Sequence, residues 1–256
     1  MHNILLHRGI KGSTPLSTFV RVETLLHRAL HTFERCVDRF VVPSHFYINK
    51  LVEWGWERER FVYIPNAINM EAFSPDYNPG KSFIYFGRLS HEKGLSTLIK
   101  AASHAGVSLK IVGTGPDEQS LRKLSEGAGA DVKFLGYLQG QALHDAIRSS
   151  KAVVLPSEWY ENAPLSVLEA YGLGKPVIGA NIGGIPELIR REETGFTYSS
   201  GSTDSLTEVL KKVSSLPTPR LSEMGRCGRA WAEDEFSHEK YRDRVLMLYS
   251  QPGVCC

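Results

Sequence analysis

Apolar residues in this chain fall into two alternating kinds of run. Short runs without polar alternation lie at 83–86, 108–112, 132–135, 152–155, 176–180 and 195–198. Between them, residues 95–105, 117–126, 139–149, 164–173 and 203–214 carry apolar positions at three- and four-residue steps. The first kind predicts buried strands and the second amphipathic helices. Strands apolar on both faces, each followed by a helix, predict a parallel sheet covered on both sides with right-handed crossovers. The fold class expected is therefore α/β, a Rossmann-like doubly wound parallel sheet. A short helix over 186–190 and two longer ones over 221–235 and 238–250 complete this part.

The first 65 residues follow another pattern. Leu16, Phe19, Val22, Leu25, Leu26, Ala29, Leu30 and Phe33 predict one amphipathic helix over 16–35, capped by Ser13 or Thr14 with Pro15 in its first turn. A strand over 38–43 comes next, then a helix over 44–54 capped by Ser44 and stopped at Gly55, then a strand over 61–65. Two strands do not close a sheet of their own, so residues 1–65 read as the end of a domain.

Composition narrows the picture without changing it. The 256 residues, 42% hydrophobic and 23% charged, are those of an ordinary globular protein, and a net charge of +2 argues against a nucleic-acid groove. No stretch reaches 18 consecutive apolar residues, and the N-terminus has neither a long apolar region nor a small-residue cleavage site; cytoplasmic location is the expectation. Cys36, Cys227, Cys255 and Cys256 form no metal or disulfide pattern. The terminal Cys-Cys reads as a tail rather than a lipidation site.

Doubly wound sheets bind ligands outside the carboxyl ends of their strands, so the loops 87–94, 113–116, 136–138, 156–164 and 181–186 are where chemistry is expected. Arg88 and Lys93 share one loop and suit a dianionic group, since Arg forks onto two oxygens while Lys acts as a point charge. As a bare pair, without the rest of the edge, they read as solvated surface charges. Pro164 starts a helix and leaves the N–H groups of Leu165 and Ser166 free, a terminus that favours phosphate. Glu169, one turn in, reads either as an acid complementing the helix dipole or as a ligand for vicinal ribose hydroxyls. Glu161, seven residues before Glu169 and in the preceding loop, takes a separate role. The paired-carboxylate glycosidase reading stays geometrically open. Trp159 and Tyr160 are candidates for ring stacking or for capping the core; His91 and His144 read as surface residues. Neither a G-x-S-x-G elbow nor a phosphate-binding P-loop occurs.

Taken together, Asn66-Ala67-Ile68-Asn69 with Phe73, Gly87-Arg88-Leu89 with Lys93-Gly94, Gly113-Thr114-Gly115-Pro116, Phe134-Leu135-Gly136-Tyr137 and PSEWYENAPLSVLEAYGLGKPVIGANIGGIPELI (156–189) resemble family 4 retaining glycosyltransferases of the GT-B fold. Five motifs occur in the family's order over about residues 40–250, with the Glu-x7-Glu pair intact. The resemblance implies a UDP-, GDP- or ADP-sugar donor, retention at the anomeric carbon, and no metal or cofactor. Carried over by position, Arg88 and Lys93 neutralise the donor diphosphate and Glu161 bonds sugar hydroxyls, these three forming the catalytic set. Glu169 bonds the ribose, and the backbone of Asn162, Ala163, Pro164, Leu165 and Ser166 holds sugar and phosphate oxygens. Gly87, Gly113, Gly115, Leu135 and Tyr137 border the phosphates and base.

The resemblance also implies a domain plan. Residues 1–65 match the last part of an N-terminal, acceptor-side domain, 66–236 the donor-binding domain, and 237–256 a helix and tail crossing back. The RGIKGS stretch resembles a region well inside that N-terminal domain, and the family's glycine-rich acceptor loop has no match; His2 reads as a coincidence. The expectation is an N-terminally truncated, impaired transferase with a saccharide, lipid-linked or other small acceptor. Peripheral contact at an inner membrane surface and self-association through an uncovered face are compatible with it. A non-catalytic nucleotide-sugar-binding module and a nucleotide-sugar epimerase are the alternatives.

Overall fold

The computed structural model describes residues 14–250. Ser13, the RGIKGS stretch, His2 and the Cys255–Cys256 pair lie outside the described residues. Six parallel strands form the main sheet: β3 (Ser82–Phe86), β4 (Leu109–Val112), β5 (Val132–Gly136), β6 (Ser150–Leu155), β7 (Val177–Ala180) and β8 (Gly195–Tyr198), in spatial order β5-β4-β3-β6-β7-β8. A two-stranded parallel sheet precedes them, β1 (Phe40–Val42) against β2 (Phe61–Tyr63), so the early strands do stand apart.

Side chains alternate across the main sheet and build a core on each face. Phe83, Tyr85, Ala152, Val154, Ile178 and Ala180 point to one core. There they meet helices α4 (Leu95–Ala105), α5 (Glu118–Gly127) and α8 (Thr203–Ser215). Ile84, Val153, Leu155 and Val177 point to the other, against α6 (Gly140–Arg148) and α7 (Leu165–Gly172). Helix α9 (Thr218–Glu235) reaches both, with Leu221 and Met224 in the first core and Ala232 in the second. This is the doubly wound, Rossmann-like α/β arrangement that the strand pattern predicts.

The differences lie mostly outside the sheet. The expected helix over 16–35 is two helices, α1 (Thr14–Ala29) and α2 (Thr32–Cys36), because His31 adopts a left-handed φ of 50° between them. Phe19, Val22, Leu25, Leu26, Leu30 and Phe33 are exposed, so the apolar stripe that suggested the helix is not packed on either core. Residues 186–190 give only a 3-10 turn over Ile185–Leu188. Helix α3 (His45–Glu53) is capped by Ser44 as expected: its hydroxyl accepts from Tyr47 N–H. The last helix, α10 (His238–Tyr249), leaves Leu246, Met247 and Tyr249 exposed.

Two cations pin the linker between the sheets. Arg229 on α9 donates to the carbonyls of Met70, Phe73 and Gly172 at 3.0, 2.9 and 2.6 Å. Lys175, buried between α7 and β7, donates to Asn78 O at 2.7 Å. Burial lowers its ammonium from 10.5 to about 8, against an opposing pull from Asp76. The unfolded chain then binds the extra proton between those two values, so this residue's contribution to stability should rise as pH increases through that window. Denaturant titrations of wild type and Lys175→Met should diverge in favour of wild type between pH 8 and 10.5. A constant difference across that range would show an ammonium that stays charged in the fold.

Candidate functional site

The order of strands reverses beside β3, which pairs with β4 on one side and β6 on the other. Connections leaving the two central strands therefore run to opposite sides, and a crevice opens between the loops 87–94 and 156–164. Gly87 and Gly113 make the turns off β3 and β4 with φ of 151° and 129°. A Cβ on Gly113 would stand 1.9 Å from Gly87 O, so only glycine lets the two turns nest. Tyr85 fixes the first turn by donating its hydroxyl to Arg88 O at 2.8 Å, and burial raises its phenol well above the usual range. Leu89 N–H donates to Thr114 O at 3.0 Å, tying the turn to the next loop.

The crevice has two lobes, about 510 and 540 Å3 in volume, which share Phe86, Gly87, Arg88 and Glu169. The first lobe is mainly apolar, lined by Phe73, Val112, Leu138, Leu143 and Ile147, with His144 ring against ring with Phe73 at 5.0 Å. Phe73 belongs to the linker clasped by Arg229. The second lobe is polar and holds Glu92, Lys93, Ser157, Glu161, Pro164 and Ser166.

Charge in the polar lobe is internally compensated at one end and open at the other. Lys93 Nζ lies 2.5 Å from Glu161 Oε1, bridging the two diverging loops, and Ser157 Oγ donates to the same oxygen at 2.9 Å. Further zipping comes from Glu158 N–H to Glu92 O at 2.9 Å. Ser90 Oγ donates to Glu92 at 2.5 Å, which holds that carboxyl below its ordinary range. Arg88 is exposed, and among the described residues its guanidinium makes no hydrogen bond. Helix α7 begins after Pro164 with no side-chain cap, so its first N–H groups and partial positive charge are open to an anion. Glu169 lies on α7 where the lobes meet. Its carboxylate has no hydrogen-bond partner among the described residues, and burial raises its pKa.

Of the residues singled out from the sequence, Gly87, Arg88, Lys93, Gly113, Tyr137, Glu161, Pro164, Ser166 and Glu169 line this crevice. Gly115, Leu135, Asn162, Ala163 and Leu165 do not. Gly115 packs where a Cβ would meet Leu89 O at 2.1 Å, so its smallness serves the loop-to-loop contact. Leu135 sits on the outermost strand of the sheet, partly exposed. Asn162 accepts through Oδ1 from Ser44 Oγ at 2.5 Å, Ala163 O accepts from Asn66 Nδ2 at 2.8 Å, and the Leu165 side chain is exposed. Trp159 and Tyr160 are exposed too, with Tyr160 against Phe46 at 5.0 Å. His91 is exposed as expected, whereas His144 is a wall of the apolar lobe. Leu138 and Leu143 were missed and His144 was read as a surface residue; their i, i+5 and i+6 spacing over α6 and its preceding turn carries no chemical signal.

Comparison with known proteins bears on the fold and the family. A GDP-mannose-dependent monoacylated alpha-(1-6)-phosphatidylinositol monomannoside mannosyltransferase of Corynebacterium glutamicum is 30% identical over 242 residues, covering 84% of this chain and 63% of the relative. The sulfoquinovosyl transferase of Arabidopsis thaliana is 30% identical over 226 residues, 81% of this chain and 44% of the relative. The chain thus spans less than two thirds of either. Among solved structures, Anabaena HepE in complex with UDP and glucose superposes with a TM-score of 0.78 at 22% identity, covering 89% of this chain and 67% of that one. The lipopolysaccharide outer core galactosyltransferase WaaB gives 0.72 at 20% identity over 82% and 60%. The fold is that of GT-B glycosyltransferases. The family model described as glycosyl transferases group 1 matches residues 69–231, the stretch that contains both lobes and every strand of the main sheet, and the chain belongs to that family.

Proposed function

We propose that this chain carries the donor half of a retaining glycosyltransferase that uses a nucleotide-diphospho-sugar. The observation that carries the reading is the order of chemistry along one crevice. An apolar lobe suits a base; an unpaired half-buried carboxylate at the junction suits ribose hydroxyls; two cations and an open helix terminus suit a diphosphate; and a second carboxylate suits sugar hydroxyls. Glu169 therefore takes the ribose, Arg88, Lys93 and the α7 terminus the diphosphate, and Glu161 the sugar. Residues 1–65 are read as part of an acceptor-side unit and 66–236 as the donor-binding unit. The relatives include a GDP-mannose-dependent enzyme and the structural neighbours a UDP complex, so both nucleotides belong in the test.

In the reaction proposed, the bond between the anomeric carbon and the diphosphate oxygen breaks while the acceptor oxygen bonds the same face of that carbon. The acceptor's proton passes to the departing phosphate oxygen. Arg88, Lys93 and the α7 N–H groups stabilise the charge that develops on that oxygen, and the α7 N–H groups do so without reorganising because the helix already fixes them. No step in this scheme calls on a metal.

Two measurements test the assignment. Isothermal titration with UDP, GDP and ADP should show binding of at least one, and Glu169→Ala should weaken it about tenfold, the worth of a hydrogen bond to a charged group. Glu161→Ala should leave it no weaker; equal losses would contradict the separate roles. Because Glu161 competes with phosphate for Lys93, Glu161→Gln should tighten binding of the bare nucleoside diphosphate about threefold, the scale of a partly exposed ion pair. Weaker binding by that variant would show that the pair does not oppose the diphosphate.

A further inference from the structure

Glu187 has no place in the donor site just described, yet it makes a two-bond contact between the first 65 residues and the main sheet's loops. It lies in the 3-10 turn after β7. His45 N–H donates to its Oε2 at 2.8 Å and Phe46 N–H to its Oε1 at 2.5 Å. These are the first two N–H groups of α3, so one carboxylate spans the positive end of a helix from a distant segment. Both bonds are charge-assisted and bidentate, a geometry that fixes direction as well as position.

What α3 holds in turn is the loop bearing Glu161. The buried Ser44 hydroxyl, at the cap of α3, donates to Asn162 Oδ1 at 2.5 Å. Phe46 packs its ring on Tyr160, centroids 5.0 Å apart. Glu161 is thereby flanked on both sides by residues that rest on α3. Glu187's own loop closes the junction: Gly184 N–H donates to Glu161 O at 2.7 Å. A Cβ on Gly184 would meet Asn162 O at 1.7 Å and Ser44 Cβ at 3.1 Å, so the three segments touch at that residue.

We propose that Glu187 is a positioning residue for Glu161, acting through α3 and Ser44, and so governs capture of the donor's sugar without touching the donor. The proposal rests on the donor-site reading above. Arg88 and Glu169, which take the nucleotide end in that reading, make no side-chain hydrogen bond or ion pair with α3 or with Glu187 among the described residues, so a fault at the junction should leave nucleoside diphosphate binding intact. A contact that served stability alone would lower both affinities together, and that difference is what the test reads.

The experiment titrates the whole chain with UDP and UDP-glucose, GDP and GDP-mannose, and ADP and ADP-glucose, taking the pair that the wild type binds. In Glu187→Gln, the ratio of the sugar-nucleotide Kd to the nucleoside diphosphate Kd should rise about tenfold over wild type, with the nucleoside diphosphate Kd within twofold and the melting temperature little changed. Ser44→Ala, which cuts the same connection at its other end and keeps the Glu187 cap, should raise the ratio similarly. The double variant should cost no more than the worse single one, because both sever one chain of contacts. Should Glu187→Gln fail to fold, Ser44→Ala decides by itself. A ratio that stays at the wild-type value, or a parallel loss of both affinities, overturns the proposal while the donor site stands. Failure of the wild type to bind any of the three nucleoside diphosphates overturns the donor site itself.

Discussion

A parallel sheet whose strand order turns back on itself between β3 and β6 must send neighbouring connections to opposite sides. The loops 87–94 and 156–164 cannot close over that seam, and everything functional in this chain follows from having to fill it. Backbone alone does part of the work, since nested glycine turns bring Gly87 and Gly113 close enough that a Cβ would collide. The rest falls to charge. Lys93 from one loop and Glu161 from the other meet across the seam at 2.5 Å. Neither is fully exposed, so leaving either unpaired carries a desolvation penalty, and each stabilises the other until a ligand offers an alternative.

That pairing gives the two ends of the crevice different character. Glu169 stands half-buried without a hydrogen-bond partner among the described residues and with its pKa raised by that burial, so a hydroxyl pair arriving there would offset its lost solvation. Glu161 is already engaged through Oε1 by Lys93 and Ser157. In the donor-site reading proposed above, the polar lobe therefore favours entry of a ligand that brings both an anion for Lys93 and hydroxyls for Glu161. In that reading a phosphate alone takes the cation and strands the carboxylate, and a neutral sugar alone leaves the cation on Glu161 Oε1.

The sheet was legible because each strand is apolar on both faces and each is followed by a helix-length stretch at helical spacing. Helix 95–105 and strand 195–198 come out as the pattern drew them, for both lie inside the cores where burial decides structure. The first helix did not: its stripe from Phe19 to Phe33 has the right period, but period does not show that anything covers it, and the break at His31 is a backbone choice with no sequence mark. In the site, Arg88, Lys93, Glu161 and Glu169 were found because position relative to strand ends predicts where they stand. Their pairing was not, since Lys93 and Glu161 lie 68 residues apart and only the fold brings them together. Leu135 and Gly115 show the converse: both belong to a motif, yet the Leu135 side chain stands exposed on an edge strand and the Gly115 Cα faces the protein's own packing.

Glu187 shows where reading by local spacing stops. Following Gly-Gly-Ile-Pro, it looks like the first acid of a new helix, and a helix start is what the 3-10 turn briefly provides. Its carboxylate instead caps a helix 141 and 142 residues earlier in the chain. The local role is weak because four residues of 3-10 helix have little dipole to complement. The distant role is strong because α3 presents two free N–H groups that Ser44, occupied with Tyr47 and Asn162, does not satisfy. An unsatisfied helix end beside a seam draws an acid from whichever loop lies across it. In this fold that loop is the one whose backbone also holds Glu161, so satisfying one helix end and aligning one site become the same event.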